Sequence, residues 1–181
     1  MSIVNSIETV REWLGSTVCP MVQLKLPDDS ATDASYPYKL VNPTAFSLFV
    51  PSKDRLPPKV PAPIPSVCVQ IVEGTDSLTM SSRSIKIRLC FSAWDPGYHG
   101  RDIFKPKNDG SGAYVQWQNE EAAAFFEKNG EGWRDAWNFV DTALRMIENA
   151  EYIGPLRVMK EDGITFGPVS EQDAVPDFYP Y

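Results

Sequence analysis

The feature that most constrains the fold is an amphipathic stretch that runs from Gly130 to Ala150. Its apolar side chains recur at steps of three and four, a spacing that places them on one stripe of an α-helix. Ordering the backbone costs roughly 1–2 kcal/mol per residue, so such a helix is stable only when its stripe is buried against another element. The sequence therefore predicts a helix that packs on a sheet. The predicted buried stripe consists of Trp133, Ala136, Trp137, Val140, Ala143, Leu144 and Ile147.

Two neighbouring stretches have the pattern of strands in such a sheet. From Ser84 to Phe91, apolar residues alternate with polar ones, which predicts a strand with one buried and one exposed face. Residues 67–72 are rich in β-branched side chains and predict a second strand, and residues 73–77 predict an acidic turn that ends it. One apolar and one polar face are typical of an antiparallel sheet covered on one side. We therefore expect an α+β fold, with a mostly antiparallel sheet and two amphipathic helices packed on one face.

Further elements are predicted on both sides of this region. The apolar residues near the N-terminus share a helical face, and Gly15 is expected to end that first helix. Pro20 places the following strand near a sheet edge. After the main helix, a turn at residues 161–163 is expected to join two short strands. The first helix is predicted from Ile3, Ile7, Val10 and Leu14, and these further strands are residues 18–26, 44–50, 156–160 and 164–166.

A proline-rich segment bears on the domain organisation. Six of the fifteen residues from Pro51 to Pro65 are proline, so this segment is expected to be extended and stiff. A linker between two domains and a ligand for a proline-binding module are alternatives, but the residues before it hold too little apolar material for a core of their own. We expect a rigid connector at 51–65 inside a single α+β domain of residues 1–181, with residues 95–130 as an inserted loop-and-helix excursion.

The net charge and the distribution of apolar residues restrict the classes of partner expected for this chain. The formal net charge of −7 leaves no basic surplus to displace counterions from a nucleic acid, so no nucleic-acid binding is expected. No apolar run approaches the ~18 residues of a membrane helix. The N-terminus also lacks the pattern of a signal peptide. We therefore expect synthesis inside the cell and no membrane partner.

The three cysteines, Cys19, Cys68 and Cys90, lie in apolar stretches without the spacing of a metal site. An odd number without a framework favours buried free thiols in a reducing compartment over a disulfide. Cys68 and Cys90 lie in adjacent predicted strands, so a pairing between these two stays open as the alternative.

The sequence offers little that indicates catalysis. The single histidine, His99, has Asp95 and Asp102 nearby, but we interpret it as an exposed loop residue. No phosphate-binding loop, zinc-protease motif or nucleophile elbow occurs, and we expect no catalytic residue, no metal and no cofactor. Four aromatic side chains in or beside the excursion are expected to cover the core or to form a protein contact surface, with stacking on a ligand as the alternative. These are Trp94, Tyr98, Tyr114 and Trp117.

Several short motifs follow one another in a distinctive order. A proline and an apolar strand at residues 64–72 lead through an acidic Glu-Gly turn to a second strand at 83–93. Gly132-Trp133-Arg134-Asp135 then opens the main helix, and the chain ends on Tyr179-Pro180-Tyr181. This order resembles a group of small tail proteins of siphophages and prophages of Gram-positive bacteria, the tail terminator or tail-completion proteins. The most specific element of the resemblance is the motif that opens the helix.

The resemblance covers residues 60–94 and 131–181, and residues 95–130 stand where the family has a short acidic loop. It implies a non-enzymatic virion component, a homo-oligomeric ring with six copies as the expected number, which caps the tail tube and joins it to the head connector. The implied partners are the major tail tube protein and the head–tail connector proteins. Assembly is expected in the bacterial host cytoplasm, and the assembled protein in the virion tail. The candidate partner and subunit contacts are Trp94, Tyr98, Tyr114, Trp117, Arg134 and Asp135.

Two alternatives to a tail terminator stay open at this point. One is a small-ligand-binding or enzymatic α+β domain in which residues 95–130 form a lid over the sheet. A concave pocket that joins His99, Asp102 and the loop aromatics would support it. The other is a head–tail adaptor or baseplate component, which belongs to the same functional class as the terminator.

Overall fold

The structure, a computed structural model, describes residues 2–27, 38–94, 104–106, 114–116, 132–161 and 163–167. Within these ranges the chain combines α-helices with small antiparallel and mixed sheets, which confirms the predicted α+β class. The helices are α1 (Ile3–Trp13) and α2 (Gly132–Asn149). The strands are β1 (Leu24–Pro27), β2 (Tyr38–Val41), β3 (Thr44–Ser47), β4 (Ser66–Ser77), β5 (Ser82–Ser92), β6 (Phe104–Pro106), β7 (Tyr114–Gln116), β8 (Tyr152–Ile153) and β9 (Leu156–Arg157).

The central sheet has the strand order β3-β4-β5. β4 and β5 form a long antiparallel hairpin whose register runs from Ser66 opposite Ser92 to Ser77 opposite Ser82. β3 pairs with the base of β4 in parallel, and the proline-rich segment 51–65 lies on the path between these two strands. The strand predicted at 84–91 is therefore confirmed within β5. β3 is shorter than the predicted 44–50, because the chain leaves the sheet at Leu48.

Both helices pack on the same face of this sheet, as predicted. Val67 and Val69 of β4 point to that face and are fully buried. They belong to one cluster with buried side chains of both helices, and the alternate residues of β5 pack against it. The cluster excludes water from apolar surface, which is the main favourable term in folding. Its buried members are Ile7, Val10, Leu14, Val18, Cys19, Leu24, Val67, Val69, Phe139, Ala143 and Ile153.

The first helical region runs past Gly15, and the prediction that this glycine ends it was wrong. A π-helical segment at Leu14–Val18 and a 3-10 turn at Cys19–Met21 follow α1 directly. Leu14 and Val18 continue the buried stripe of α1, and burying two such side chains outweighs the penalty of roughly 1 kcal/mol for a helical glycine. A methyl group at Gly15 would lie 3.8 Å from Cβ of Ala45, so the helix also lies close to β3 here.

The strand predicted at 18–26 is consequently reduced to β1. Leu24 and Leu26 are buried while Lys25 is less so, which is the expected alternation. β1 pairs with β2, a strand that is not predicted from the sequence. Asn42 secures this hairpin to the end of the helical region, because its Nδ2 donates to the carbonyl oxygen of Val22 at 2.8 Å.

α2 confirms the predicted helix, but its buried stripe lies about one position away from the predicted one. Phe139 is 0% exposed, and Ala143, Met146 and Ala150 continue its stripe at steps of four, three and four. Trp137, predicted to lie in the core, is instead 37% exposed. The ring of Phe139 meets Phe91 of β5 edge to face, with centroids 4.9 Å apart. The position of Phe91 on the sheet therefore decides which side of the helix is buried deepest.

The C-terminal hairpin is also displaced from its predicted position. Strands were expected at 156–160 and 164–166 around a turn at 161–163, but the hairpin consists of β8 and β9. Gly154 supplies the left-handed turn between them with a φ of 57°. That turn is short and needs a residue that tolerates positive φ, so the position of Gly154 determines where the hairpin turns.

Residues 95–112 are rich in Gly, Pro, Asp and Lys, a composition that predicts a loop, but part of this range forms a strand. β6 lies within that range and pairs with β7. Strands of three residues carry too little alternation to be recognised from sequence. The sequence also predicts a polar loop at 27–35, of which Pro27 is the last residue of β1. The rest of that loop, the short helix predicted from Asn119 to Lys128 and the tail from Ser170 to Tyr181 lie outside the described residues.

A hydrogen-bonded carboxylate joins α1 to β3. Oε1 of Glu8 accepts a hydrogen bond from Oγ of Ser47 at 2.6 Å, and its Oε2 accepts one from Nε of Arg11 at 2.7 Å. The bond from Ser47 first, and the interaction with Arg11 second, lower the pKa of Glu8 below its ordinary 4.5. A carboxyl group with a lowered pKa in the folded protein stabilises the fold at neutral pH, and this contribution is lost as pH falls below 4.5 through the lowered value.

Ser47→Ala is therefore expected to lower the free energy of unfolding at pH 7 by about 1 kcal/mol, a value reduced for partial solvent exposure. The difference from wild type should shrink once Glu8 is protonated in both proteins, because a neutral carboxyl group is a weaker acceptor than a carboxylate. Urea unfolding between pH 7 and pH 3 measures it. Glu8→Gln is the control, because it removes the ionisable group and should flatten the same part of the pH profile. A Ser47→Ala deficit that is constant over this pH range would contradict the interpretation.

Candidate interaction surface

The distal part of the β4–β5 hairpin projects beyond the core. Residues 66–71 of β4 lie under the helices, whereas residues 72–76 are exposed, and so are most of the residues paired with them. We call residues 72–86 the arm. Five paired residues beyond Ile71 correspond to a reach of about 17 Å at the usual rise of a strand.

A register shift between Ile71 and Glu73 marks the base of the arm. Such a β-bulge bends a hairpin and increases its twist. The prediction that residues 73–77 form a turn was wrong, because β4 continues through them to Ser77. Opposite charges face each other across the two strands of the arm, since Glu73 is paired with Lys86 and Asp76 with Arg83. Nε of Arg83 donates to Oδ2 of Asp76 at 3.2 Å, and cross-strand pairs of this kind support strand pairing.

The tip of the arm carries the most exposed large apolar side chains described in the structure. Leu78 is 90% exposed and Met80 is 77% exposed. The turn that presents them is formed by local hydrogen bonds, because Oγ of Ser77 accepts one from the backbone N–H of Met80 at 3.3 Å. Ser81 then adopts a left-handed φ of 48° that leads into β5. The tip is thus a defined turn with two apolar side chains in solvent.

A second apolar surface lies at the end of β3. Leu48, Phe49 and Val50 are all exposed, with Phe49 at 68%. We call these three residues the 48–50 turn. Its backbone is attached to β4, because the N–H of Leu48 donates to the carbonyl oxygen of Val69 at 2.8 Å. Leu48 has a positive φ of 67°, which costs a non-glycine residue roughly 1–2 kcal/mol and directs the chain out of the sheet.

The candidate contact residues from the sequence fall in different places. Trp94 is half-buried directly after β5, and Arg134 is exposed in the first turn of α2. Tyr114 begins β7, but its side chain lies outside what the structure describes, and Tyr98 and Trp117 lie outside the described residues altogether. His99 and Asp102, the residues of the ligand-binding alternative, also lie outside them.

Asp135 is engaged within its own chain. Its Oδ2 lies 3.4 Å from Nζ of Lys25 on β1, and both side chains are largely shielded from solvent. Nζ of Lys25 also lies 5.7 Å from the ring centre of Tyr38 on β2. This ion pair joins the start of α2 to the β1–β2 hairpin. Asp135 therefore has a structural role within its own chain.

The described surface offers shallow grooves for contact. One is lined by Phe49, Val50, Pro51, Ser52 and Arg55, beside the 48–50 turn. Another lies between the first residues of α1 and the arm, lined by Ile3, Gly74, Thr75, Asp76, Arg83 and Ile85. Among the described residues no group of three His, Cys, Asp or Glu side chains is placed to hold a metal ion. No helix in these same ranges is long and apolar enough to span a membrane.

No protein-family model, no curated protein and no solved structure matches this chain. The basis for a functional proposal is therefore the geometry of the chain together with its sequence motifs.

The arm and the 48–50 turn are not among the contact residues predicted from the sequence. The available signal was small: Leu78 and Met80 stand in a run of otherwise small or polar residues from Asp76 to Arg83. Apolar residues in a turn are ordinarily assigned to a nearby core, and only the strand pairing beneath them shows that this turn lies beyond the core.

Proposed function

We propose that this chain is a non-enzymatic structural protein of a phage or prophage tail, similar to tail terminators, which acts through protein–protein contacts. In this proposal several copies, six being the expected number, close into a ring that caps the tail tube. The ring then contacts the tail tube protein on one side and the head connector on the other. Assembly takes place in the bacterial host, and the protein resides in the virion tail.

The arm with its exposed tip is the observation that supports a role in protein–protein contact, and the motif order of the sequence is what suggests a tail protein. Burying a side chain such as leucine or methionine contributes roughly 1.5–3 kcal/mol. A turn that leaves two of them in water forgoes that free energy in the isolated chain and recovers it when a partner covers them. Contiguous exposed apolar groups on a defined support are typical of interaction sites.

A closed ring also requires two different surfaces on each copy, because a head-to-tail contact joins unlike patches. The tip of the arm and the 48–50 turn are two such apolar surfaces on one chain. We assign the ring contact to these two, so that Leu78 and Met80 of one copy lie against Phe49 and Val50 of the next. The groove beside Phe49 provides a concave surface for a projecting turn.

The oligomeric mass of the purified chain tests the proposal. Light scattering over a range of concentrations should give a mass several times the 20.2 kDa of one chain, and electron microscopy should show rings. Leu78→Asp combined with Met80→Asp should weaken association by roughly 100-fold, with an unchanged circular dichroism spectrum. Met159→Asp combined with Ile164→Asp is the matched control, since it places the same two charges at exposed apolar residues away from the arm.

A mixing experiment tests which surfaces meet. Phe49→Asp should also abolish rings, but a mixture of this variant with the arm variant retains one intact contact and should form dimers that cannot grow. If the mixture stays monomeric while both parents assemble poorly, the two surfaces are not each other's partners. A wild-type chain that is monomeric at high concentration and does not bind tail tube protein would refute the functional proposal itself.

A further inference from the structure

Two of the three cysteines lie directly opposite each other in the central sheet. Cys68 of β4 and Cys90 of β5 are partners in the antiparallel register, and both are free. Opposite residues of an antiparallel pair have Cα atoms about 4.5–5.5 Å apart, whichever kind of pair they form. A disulfide requires Cα atoms about 4.4–6.8 Å apart. The register thus meets the distance requirement without any movement of the strands.

The two thiols also point to the same side of the sheet. The neighbours of Cys68 in β4, Val67 and Val69, belong to the core beneath the helices, so Cys68 points to the opposite face. The same argument holds for Cys90 between Leu89 and Phe91. Its Sγ donates to Oε1 of Gln70 at 3.5 Å, and Gln70 alternates in step with Cys68 on that face.

We propose that Cys68 and Cys90 form a reversible dithiol–disulfide site, closed by a low-molecular-weight disulfide such as oxidised glutathione. Cys90 is the more exposed of the two, and its thiolate attacks the small disulfide, which forms a mixed disulfide and releases one small thiolate. The thiolate of Cys68 then attacks the sulfur of Cys90 and releases the second. The two protons lost by the cysteines end on the two released thiols, so one disulfide is reduced as another forms.

The surroundings of the two thiols make formation of the disulfide slow. Burial raises the pKa of both Cys68 and Cys90, and the thiolate is the form that attacks. A slow reaction of this kind needs sustained exposure to the oxidant, and the excess thiol of a reducing compartment reverses it. Once formed, the bond joins the two strands that carry the arm, close to its attachment to the core. This inference rests on the strand register and is independent of the proposed function.

Cys19 serves as an internal control. It is buried in the core cluster on the helix-covered face, opposite to the face of the other two. Burial raises its pKa to about 11. It is therefore expected to remain a thiol under conditions that oxidise the pair.

The test is incubation of the folded full-length chain with oxidised glutathione, followed by alkylation under denaturing conditions and peptide mapping by mass spectrometry. The expected result is a fall from three free thiols to one, with a Cys68–Cys90 peptide linkage and alkylated Cys19. Closing a loop of about 20 residues should raise the unfolding midpoint by roughly 5–10 °C, and dithiothreitol should reverse the rise. Cys19→Ser should leave no free thiol, whereas Cys90→Ser should lack both the linkage and the rise.

Three outcomes would overturn the proposal. One is the persistence of three thiols in the wild type after prolonged incubation. The second is a linkage that includes Cys19 or joins two chains in place of Cys68–Cys90. The third is a midpoint that does not rise although the linkage forms, which would show that the bond does not secure the hairpin. The wild-type peptide map decides the first two without any variant, so a folding defect in Cys90→Ser leaves the test intact.

Discussion

Phe139→Ala is expected to lower the free energy of unfolding by about 3–5 kcal/mol, the usual cost of removing a buried aromatic ring. Phe139 is 0% exposed, and its ring meets Phe91 at an interplanar angle of 79°. It lies where α2 crosses the central sheet, so its loss leaves a cavity that the surrounding helices and strands can close only in part. Guanidinium unfolding followed by circular dichroism measures the difference.

Trp137→Ala is the matched control, two positions away on the same helix. Trp137 is partly exposed, and its described ring contact is with Phe166, itself an exposed residue, at a centroid distance of 6.2 Å. We expect its replacement to cost about 1 kcal/mol. Equal costs for the two variants would mean that α2 is rotated relative to the position described here and that Trp137 lies in the core, as the sequence alone predicted.

Gly154→Ala is expected to destabilise the protein through two separate effects. Gly154 has a φ of 57°, a conformation that costs an alanine roughly 1–2 kcal/mol. A methyl group there would also lie 2.8 Å from Cγ2 of Thr9 on α1, and relieving such an overlap costs roughly 1–3 kcal/mol more. Thr9 cannot rotate freely away, because its Oγ1 donates to the carbonyl oxygen of Asn5 at 2.7 Å.

Two controls separate these effects. Gly163→Ala changes a glycine with a similar φ of 69° that has open space around it, so it should show the conformational cost alone. Thr9→Ser removes the methyl group but keeps the hydroxyl, and Gly154→Ala in that background should cost no more than Gly163→Ala. An unchanged penalty in the Thr9→Ser background would show that the contact between the β8–β9 turn and α1 is not tight. Urea unfolding of the wild type and the four variants provides the comparison.

Much of the candidate surface could not be predicted, for a reason visible at the arm. Residues 73–77 have the composition of a turn, since Glu, Gly, Asp and Ser all disfavour strands. They form a strand because they pair with residues 82–86 of β5, a register that also places Lys86 and Arg83 opposite Glu73 and Asp76. The partner strand β5 lies further along the chain. The local preferences of residues 73–77 therefore predict a turn where the protein forms a strand. The exposure of Leu78 and Met80 follows from that same pairing.

A related reason applies to the contact residues predicted from the sequence. Their prediction rests on residue type, and residue type does not show whether a side chain already interacts with another part of its own chain. Asp135 illustrates this, because its partner Lys25 lies in a strand more than a hundred residues earlier in the chain. Only the docking of α2 beside the β1–β2 hairpin brings the two together.

The sequence by itself determined the α+β class, the two amphipathic helices and the strand within β5. Spacing at steps of three and four, or of two, reports which face a regular element buries, and it depends only on local backbone geometry. The tertiary structure decided how far each element extends and which side chains lie deepest. Gly15 lies within a continuing helical region because Leu14 and Val18 are buried, and Phe139 replaces Trp137 in the core because Phe91 lies beneath it. These outcomes depend on contacts between residues distant in sequence, whose free energies exceed local preferences of about 1 kcal/mol.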